Sequence, residues 1–302
     1  DVVGQEKAKR ALIIAASGHH NIFLNGPPGA GKSMLAKALP SIMPPLTTGE
    51  MLEVTHLHSL SGRNFEQIVK TRPLRSPHHS SSHISIVGGG QSPRPGEISL
   101  SHHGILFFDE FPEFGRATIE ALRQPLEDKT ITVARAKGIV DFPASFILVA
   151  TANPCPCGYY NSSRECSCLP AQIARYQKRI SGPVIDRIDL YVDVEEVVHA
   201  HLLENKATNT NQTSKNLSKK INRVRSKQKA RAGKLNSELS NKELKQYARL
   251  DEQTKQLLDA AASKLGLSAR GYMRTLRVAR TIADLRDAKD IDRTDIAEAL
   301  QY

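Results

Sequence analysis

The sequence predicts an α/β fold built on a parallel sheet with flanking helices, followed by a smaller all-helical region. Three observations predict it. The apolar run Ile22, Phe23, Leu24 leads into Gly26-Pro27-Pro28-Gly29-Ala30-Gly31-Lys32-Ser33 and then the helix-forming Met34, Leu35, Ala36, Lys37, which is a strand, a phosphate loop and a helix. Two further apolar runs, Ile105–Phe108 and Ser145–Ala150, each end in residues with chemical use, as strands of a parallel sheet do at their carboxyl ends. Beyond residue 235 the segments have helical spacing.

In chain order, residues 6–18 read as a helix with Ala8, Ala11, Leu12 and Ala15 on its apolar side. Val2, Val3 and the Gly4 backbone ahead of it can pack on an adenine base, although a plain core helix fits the spacing equally well. In the phosphate loop, residues 26–34, small side chains let backbone N–H groups come around a triphosphate. Lys32 then reaches the outer phosphates and the Ser33 hydroxyl ligates magnesium. The following helix, which opens at Met34, adds its positive end and is expected to stop at Pro40.

Residues 46–87 resist assignment. His78, His79 and His83 suggest a metal, but Ser80–Ser82 between them make a poor helix and the spacing argues weakly. A glycine- and proline-rich tip, Gly88–Gly90 and Pro93–Gly96, is expected to join two extended arms, 84–87 and 97–100, with Arg94 at its end.

The strand Ile105–Phe108 delivers Asp109 and Glu110 to the phosphates. Asp109 is placed to hold magnesium and Glu110 to polarise the attacking water. A helix over 117–127 follows, kinked or ended early by Pro125. Thr130–Val133 and Ile139–Phe142 flank a second hairpin whose basic tip carries Arg135 and Lys137. The strand ending at Ala150 continues Thr151-Ala152-Asn153, which puts a neutral amide at the same edge, able to hold the water or the terminal phosphate.

All four cysteines follow within residues 155–168, as Cys155-Pro-Cys157 and Cys166-Ser-Cys168. They read as tetrahedral zinc ahead of reduced structural thiols or redox chemistry, although C-x-C is tighter than the usual spacing. Arg187, before the strand Leu190–Val194, cannot be assigned from spacing alone. From Glu204 the composition turns polar, and between Lys215 and Lys234 every charged residue is basic, a solvated face or a polyanion contact. Helices are expected near 240–248, 251–265, 269–285 and 294–300, the last capped by Asp292 or Thr294.

The 302 residues carry 42 Lys plus Arg against 31 Asp plus Glu, a formal charge of +11. A basic excess beside a phosphate loop favours a polyanionic partner, with nucleic acid the commonest. No apolar run approaches the ~20 residues of a membrane span. The opening residues carry no basic leader, so a soluble, cytoplasmic protein is expected. The missing initiator Met predicts a piece of a longer chain.

The long words of the sequence closely resemble the magnesium-chelatase-like ComM (YifB) family of AAA+ transformation helicases. They are Asp1-Val-Val-Gly-Gln5, the phosphate loop, Arg72-Pro-Leu-Arg-Ser-Pro-His-His79, Val87-Gly-Gly-Gly90 and Pro93-Arg-Pro-Gly-Glu-Ile-Ser99. Phe108-Asp-Glu110, Leu122-Arg-Gln-Pro-Leu-Glu127, Asn153-Pro-Cys-Pro-Cys-Gly158, Asp186-Arg-Ile-Asp-Leu190 and the stretch from Ser268 to Asp284 complete the set. The resemblance implies an AAA+ P-loop NTPase core with two β-hairpin insertions over 1–195, including a cysteine insertion at 155–168. A basic, polar linker with a connecting helix over 196–235 and a small all-α lid domain over 236–302 follow. It implies ATP and magnesium as ligands and a homo-hexameric ring. Arg187 would be the finger offered to the neighbour's phosphate and Arg270 the lid's sensor, with Arg274 as the alternative.

Function then reads as ATP-driven translocation on single-stranded and branched DNA without sequence preference, promoting branch migration in natural transformation and homologous recombination. Arg94, Arg135 and Lys137 would contact DNA phosphates in the ring pore. The alternatives are a motor subunit of a metal chelatase and a protein remodeller, because fold alone does not separate such motors.

Overall fold

The computed structural model describes residues 4–62, 67–90, 93–135, 138–180, 182–196 and 213–302, and for Arg135 and Ile180 the backbone alone. Five parallel strands form the central sheet in the order β2-β5-β8-β1-β9, where β1 is Ile22–Asn25, β2 Leu74–Arg75, β5 Ile105–Phe108, β8 Ile147–Ala152 and β9 Leu190–Asp193. The long strands are mostly apolar because both sheet faces are covered, with polar residues such as Asn25, Thr151 and Asp193 at or near their carboxyl ends. Ile22, Leu24, Ile105, Phe107, Ile147 and Val149 point into one core, while Phe23, Leu106, Phe108, Leu148 and Ala150 point into the other.

Helix α1 (Glu6–Gly18) precedes β1 and packs in the first core. Helix α2 (Lys32–Ile42) follows the phosphate loop and runs two residues past Pro40, later than expected. Pro40 stands in the last full turn, where its fixed φ fits and little helix remains to be disturbed. Helix α3 (Thr48–Leu60) fills part of the stretch the sequence left open, started by a Thr47–Glu50 capping box.

The first hairpin differs from expectation. Its tip pairs as two-residue strands, β3 (Gly88–Gly89) with β4 (Arg94–Pro95), but its arms are the short helices α4 (His83–Val87) and α5 (Glu97–Leu100). Segments of four residues are too short to separate strand from helix by period alone. Here the Ser82 side chain caps α4, and Ile86 and Ile98 are buried in one core as helical residues.

Where one helix was expected over 117–127 there are two, α6 (Arg116–Ala121) and α7 (Arg123–Asp128). Pro125 has no N–H for the Ala121 carbonyl and its ring crowds that oxygen, so the break falls at Leu122, three residues ahead of the proline. The second hairpin is as expected, β6 (Thr130–Arg135) against β7 (Gly138–Pro143). Helix α8 (Pro170–Ile180) and a 3-10 turn at Ile185–Arg187 lead to β9.

Helix α9 (Ser214–Ala232) carries the basic run and packs on α1, α2 and α12. Of the nine bases from Lys215 to Lys234, five are engaged within the chain. Arg223 and Lys227 meet Asp287, Arg225 donates to the Ala16 carbonyl, Arg231 meets Asp284, and Lys234 meets Glu243. Much of the run is therefore a fastening, not a free stripe. The chain ends in α10 (Asn241–Tyr247), α11 (Glu252–Leu265), α12 (Ala269–Leu285) and α13 (Arg293–Ala299), the last capped by Asp292.

Fully buried Arg280 on α12 is held by Asp284, which also accepts from Arg231 and Asn236. Burial pushes the Asp284 carboxyl up, but the Arg231 hydrogen bond and the Arg280 charge outweigh it and leave its pKa below the usual value. Asp284→Ala strands two guanidinium groups and is expected to cost about 3–5 kcal/mol in urea unfolding. The wild-type contribution is complete above the unfolded carboxyl pKa of ~4 and is lost as pH falls through the lower folded value. A variant within about 1 kcal/mol of wild type at pH 7 would contradict this, because surface pairs are worth no more.

Candidate functional site

The register of the sheet brings the phosphate loop and the polar strand ends to one edge. Asn25 lies opposite both Ala152 and Asp193, and Phe108 opposite Ala150, so Gly26, Asp109, Glu110 and Asn153 leave neighbouring strands together. Gly29 and Gly31 hold φ of 82° and 87°, left-handed values that let the loop wrap before α2 begins. Gly26 has no room for a side chain, since a Cβ there would lie 2.2 Å from the Val194 carbonyl oxygen.

Lys32 folds back into the loop. Its ammonium donates to the carbonyls of Gly26 at 2.5 Å and Pro27 at 2.8 Å, and to Asn153 Oδ1 at 3.1 Å. Burial pushes its pKa down to about 8 against the pull of Asp109 and Glu110. The Ser33 hydroxyl donates to Asp109 Oδ2 at 2.8 Å, so the two predicted magnesium ligands already touch. Pro27, Pro28 and Ala30 complete the loop and Met34 is exposed on the first turn of α2. Val3 lies outside the described residues.

Two groups at this edge, Thr151 and Gln5, escaped the sequence reading. Thr151 donates to Asp109 Oδ1 at 2.6 Å and accepts the Glu110 N–H at 3.0 Å, tying both acids to β8. Glu110 itself sits at φ 55°, a strained value for a side-chain-bearing residue that turns the chain sharply out of β5. Gln5 bridges the loop and the chain beyond β9, donating to the carbonyls of Ala30 at 3.4 Å and Glu195 at 2.6 Å. The position of Thr151 two residues before Asn153 on the same strand was the available signal. Gln5 had none beyond its place in a recurring word.

Arg187 and Arg270 are brought together, but not to the loop. Both guanidinium groups pair with Glu127 Oε1, Arg270 at 2.5 Å, and Arg187 also donates to the Pro183 carbonyl. The Arg187 hydrogen bond, against a small opposing effect of burial, holds the Glu127 carboxyl below its usual value. Arg274 is occupied elsewhere, donating to the Ile188 carbonyl at 2.8 Å and lying over the Tyr191 ring.

The four cysteines converge. Their Sγ atoms lie within 4.8 Å of one another, with separations of 3.3, 3.7 and 3.5 Å among Cys155, Cys157 and Cys166, and no disulfide links them. A tetrahedral centre with Zn–S near 2.3 Å requires S···S of roughly 3.8 Å, so the set fits such an ion. The N–H groups of Cys157 and Tyr160 point at Cys168 and Cys155 sulfur at 3.3 Å, as suits thiolates. The cysteine loop also leans on the phosphate loop, since a Cβ on Gly158 would lie 2.6 Å from Pro28 Cδ.

Among the described residues, His78, His79 and His83 form no such group. The first two rings stack at 4.1 Å, and His83 faces Thr118. Glu53, His102 and His103 do converge. The Ser145 N–H donates to His102 Nδ1 at 2.9 Å, which leaves the ring proton on Nε2 facing Glu53 and no lone pair there for a metal. Burial pushes this imidazole down to about 4. Of the predicted DNA contacts, Arg94 is exposed on β4, Arg135 closes β6, and Lys137 lies outside the described residues.

Residues 1–202 match the family described as magnesium chelatase, subunit ChlI, and residues 211–302 match its C-terminal family; the chain belongs to this family and has its AAA+ fold. It is 45% identical to the competence protein ComM of Haemophilus influenzae over 100% of this chain and 59% of that protein. It is 43% identical to YifB of Salmonella typhimurium with the same coverage. The DNA replication licensing factor MCM7 of Oryza sativa is 25% identical over 67% of this chain and 28% of its own length. The chain thus spans about three-fifths of the first two relatives, and none of its described helices is long and apolar enough to cross a membrane.

The buried lysine generates a pH dependence. Bound phosphate needs Lys32 protonated, and its pKa of about 8 in the free loop makes binding take up a proton above that pH. Nucleotide affinity is expected to be nearly level below pH 7 and to fall above pH 8 by up to about tenfold per unit. Titration calorimetry between pH 6.5 and 9.5 checks this, and a level profile to pH 9.5 would contradict it.

Proposed function

We propose that this chain is the ATPase module of a hexameric ring that moves along DNA, promoting branch migration in natural transformation and homologous recombination. One observation carries the reading. The phosphate loop, acids and Asn153 share one sheet edge, while Arg187 and Arg270 are paired together on Glu127 and make no contact with that loop. The arginines are then available to a second copy, and the site is complete only between copies. The competence name of one relative and the DNA replication name of another support DNA as the track. The family description favours a metal-chelatase motor as the second reading, with the same ATPase core.

In the proposed cycle Lys32 leaves its loop carbonyls for the β- and γ-phosphates, and the backbone N–H groups of Gly29 to Met34 hold the remaining oxygens. Ser33 and Asp109 are the residues that would hold magnesium, which draws charge from the phosphate oxygens when bound. Glu110, fixed by Thr151, orients the attacking water and accepts its proton, and Asn153 holds that water without adding charge. Arg187 and Arg270 of the next copy stabilise the transferred phosphoryl, a contribution of about 10³ to 10⁵ in rate where such arginines act. Arg94, Arg135 and Lys137 on the hairpins would grip the DNA backbone, which carries no sequence information in itself.

The rate of ATP hydrolysis with and without branched DNA tests the reading. Lys32→Ala and Arg187→Ala are each expected to be inactive, and their mixture to recover part of the DNA-stimulated rate, because one supplies the arginine and the other the loop. An Arg187→Ala protein as active as wild type would contradict the assignment.

We also propose a zinc ion held by Cys155, Cys157, Cys166 and Cys168. Elemental analysis of protein purified without chelator is expected to give one zinc per chain, lost on Cys166→Ser. A metal-free preparation that is fully folded would exclude it.

A further inference from the structure

The double pairing of Glu127 has a mechanical meaning if Arg187 serves a second copy, and the inference rests on that reading. A finger that must touch another chain's phosphate has to be presented to solvent. Here the Arg187 side chain is only 10% exposed, its guanidinium held by Glu127 and by the Pro183 carbonyl, while its Nε has no hydrogen-bond partner among the described residues. Glu127 and Arg270 are by contrast 43% and 50% exposed. The finger is retracted, and the group that holds it stands at the surface.

Glu127 is positioned for this by local chain geometry. It is the fifth residue of α7, whose start is set by the break ahead of Pro125, and Lys129 closes the helix at φ 58°. The 3-10 turn bearing Arg187 packs against α7, and α12 begins at Ala269 so that Arg270 reaches the same carboxylate from its first turn. A carboxylate between two guanidinium groups offers two oxygens and one negative charge. A terminal phosphate offers three oxygens and more charge, and so competes for the same donors on better terms.

We infer that Glu127 is a positioning residue that occupies Arg187 and Arg270 in place of a phosphate, keeps the finger retracted in the unpaired subunit, and yields both arginines to the terminal phosphate presented by a neighbouring copy. It links the two arginines, so they are released together. It also suppresses hydrolysis by incompletely assembled copies, because only a fraction of subunits has the finger free and the apparent strength of association falls by that fraction.

The test is the dependence of ATPase rate on protein concentration for wild type, Glu127→Gln and Arg187→Ala, with ATP saturating. Glu127→Gln keeps the size of the side chain and removes the charge. It is expected to reach half-maximal rate at roughly three- to tenfold lower protein concentration, the range of one or two partly exposed ion pairs. Its plateau rate and its KM for ATP should stay within about twofold of wild type. A merely structural role would lower the plateau and leave the midpoint alone. A midpoint unchanged or raised in Glu127→Gln overturns the inference while the reading of Arg187 stands, provided Arg187→Ala is inactive. An active Arg187→Ala overturns both. If Glu127→Gln does not fold, Glu127→Asp, whose shorter carboxylate cannot span both arginines, is expected to shift the midpoint in the same direction, and an unshifted midpoint there counts against the inference.

Discussion

Strand β1 is hydrogen-bonded to β8 on one side and β9 on the other, in register on both. That double pairing is the constraint on which the site depends. It fixes where Gly26 begins the phosphate loop, and β8 in turn fixes β5, so Asp109, held by Thr151, arrives within hydrogen-bond reach of Ser33 and Asn153 within reach of Lys32. No loop residue has to be placed by its own conformational preference alone. The entropy of ordering the site is offset mainly by sheet pairing and by two buried faces.

The opposite edge of the sheet is polar and connects the helical region to the turn bearing Arg187. His20 Nε2 meets Thr281 of α12 at 2.8 Å, and its Nδ1 lies 3.5 Å from Asp189, two residues after Arg187. Asn21 donates its backbone N–H to Asp189 and its side-chain amide to the Arg187 carbonyl, while its Oδ1 accepts from Leu148 of β8. Arg274 of α12 holds the next carbonyl, at Ile188. Burial would raise the Asp189 carboxyl, but the adjacent His20 ring and the Asn21 N–H outweigh it and leave its pKa below the usual value. The backbone around the finger is thus held from both sheet and helix, while its side chain is held by Glu127.

What was legible in the sequence follows from the range of the forces involved. The phosphate loop, the strands at 22–25 and 105–108, the second hairpin and the four C-terminal helices are written in local pattern and stand within about two residues of where spacing put them, and the strand expected at 145–150 runs from 147 to 152. The arms of the first hairpin are helices where extended segments were expected, because four residues are too few to show a period, and only the common burial of Ile86 and Ile98 decides them. The break at Leu122 precedes its cause because a proline acts on the carbonyl four residues before it. Thr151, Gln5 and Glu127 were invisible as partners, since each acts through residues 25 or more positions away. The basic run on α9 was legible as charge but not as fastening, because its acids lie on α10, α12 and the turn at Asp287.

These two edges belong to the same short strand. Asn21, which grips the Arg187 carbonyl, and Gly26, which opens the phosphate loop, are five residues apart, roughly 16 Å of extended chain. In a ring read as above, the loop serves the subunit's own nucleotide and the arginine serves the neighbour's, so β1 is a strut between successive sites. A strand in register on both sides cannot lengthen or slip without breaking two ladders. Change at the loop therefore cannot reach Arg187 by deforming β1. It must pass as a shift of the group formed by α7, the Arg187 turn and α12 relative to a fixed sheet. That group is joined to the sheet by polar contacts through Asn21, His20 and Arg274 and by apolar packing, since Leu126, Val184 and Ile188 lie in one of the cores covering the sheet and Leu276, Val278 and Ile282 of α12 in the other. Apolar packing resists a large shift, so the part of the group with most freedom to move is the side chain of Arg187, which Glu127 holds and can release while its backbone stays fixed.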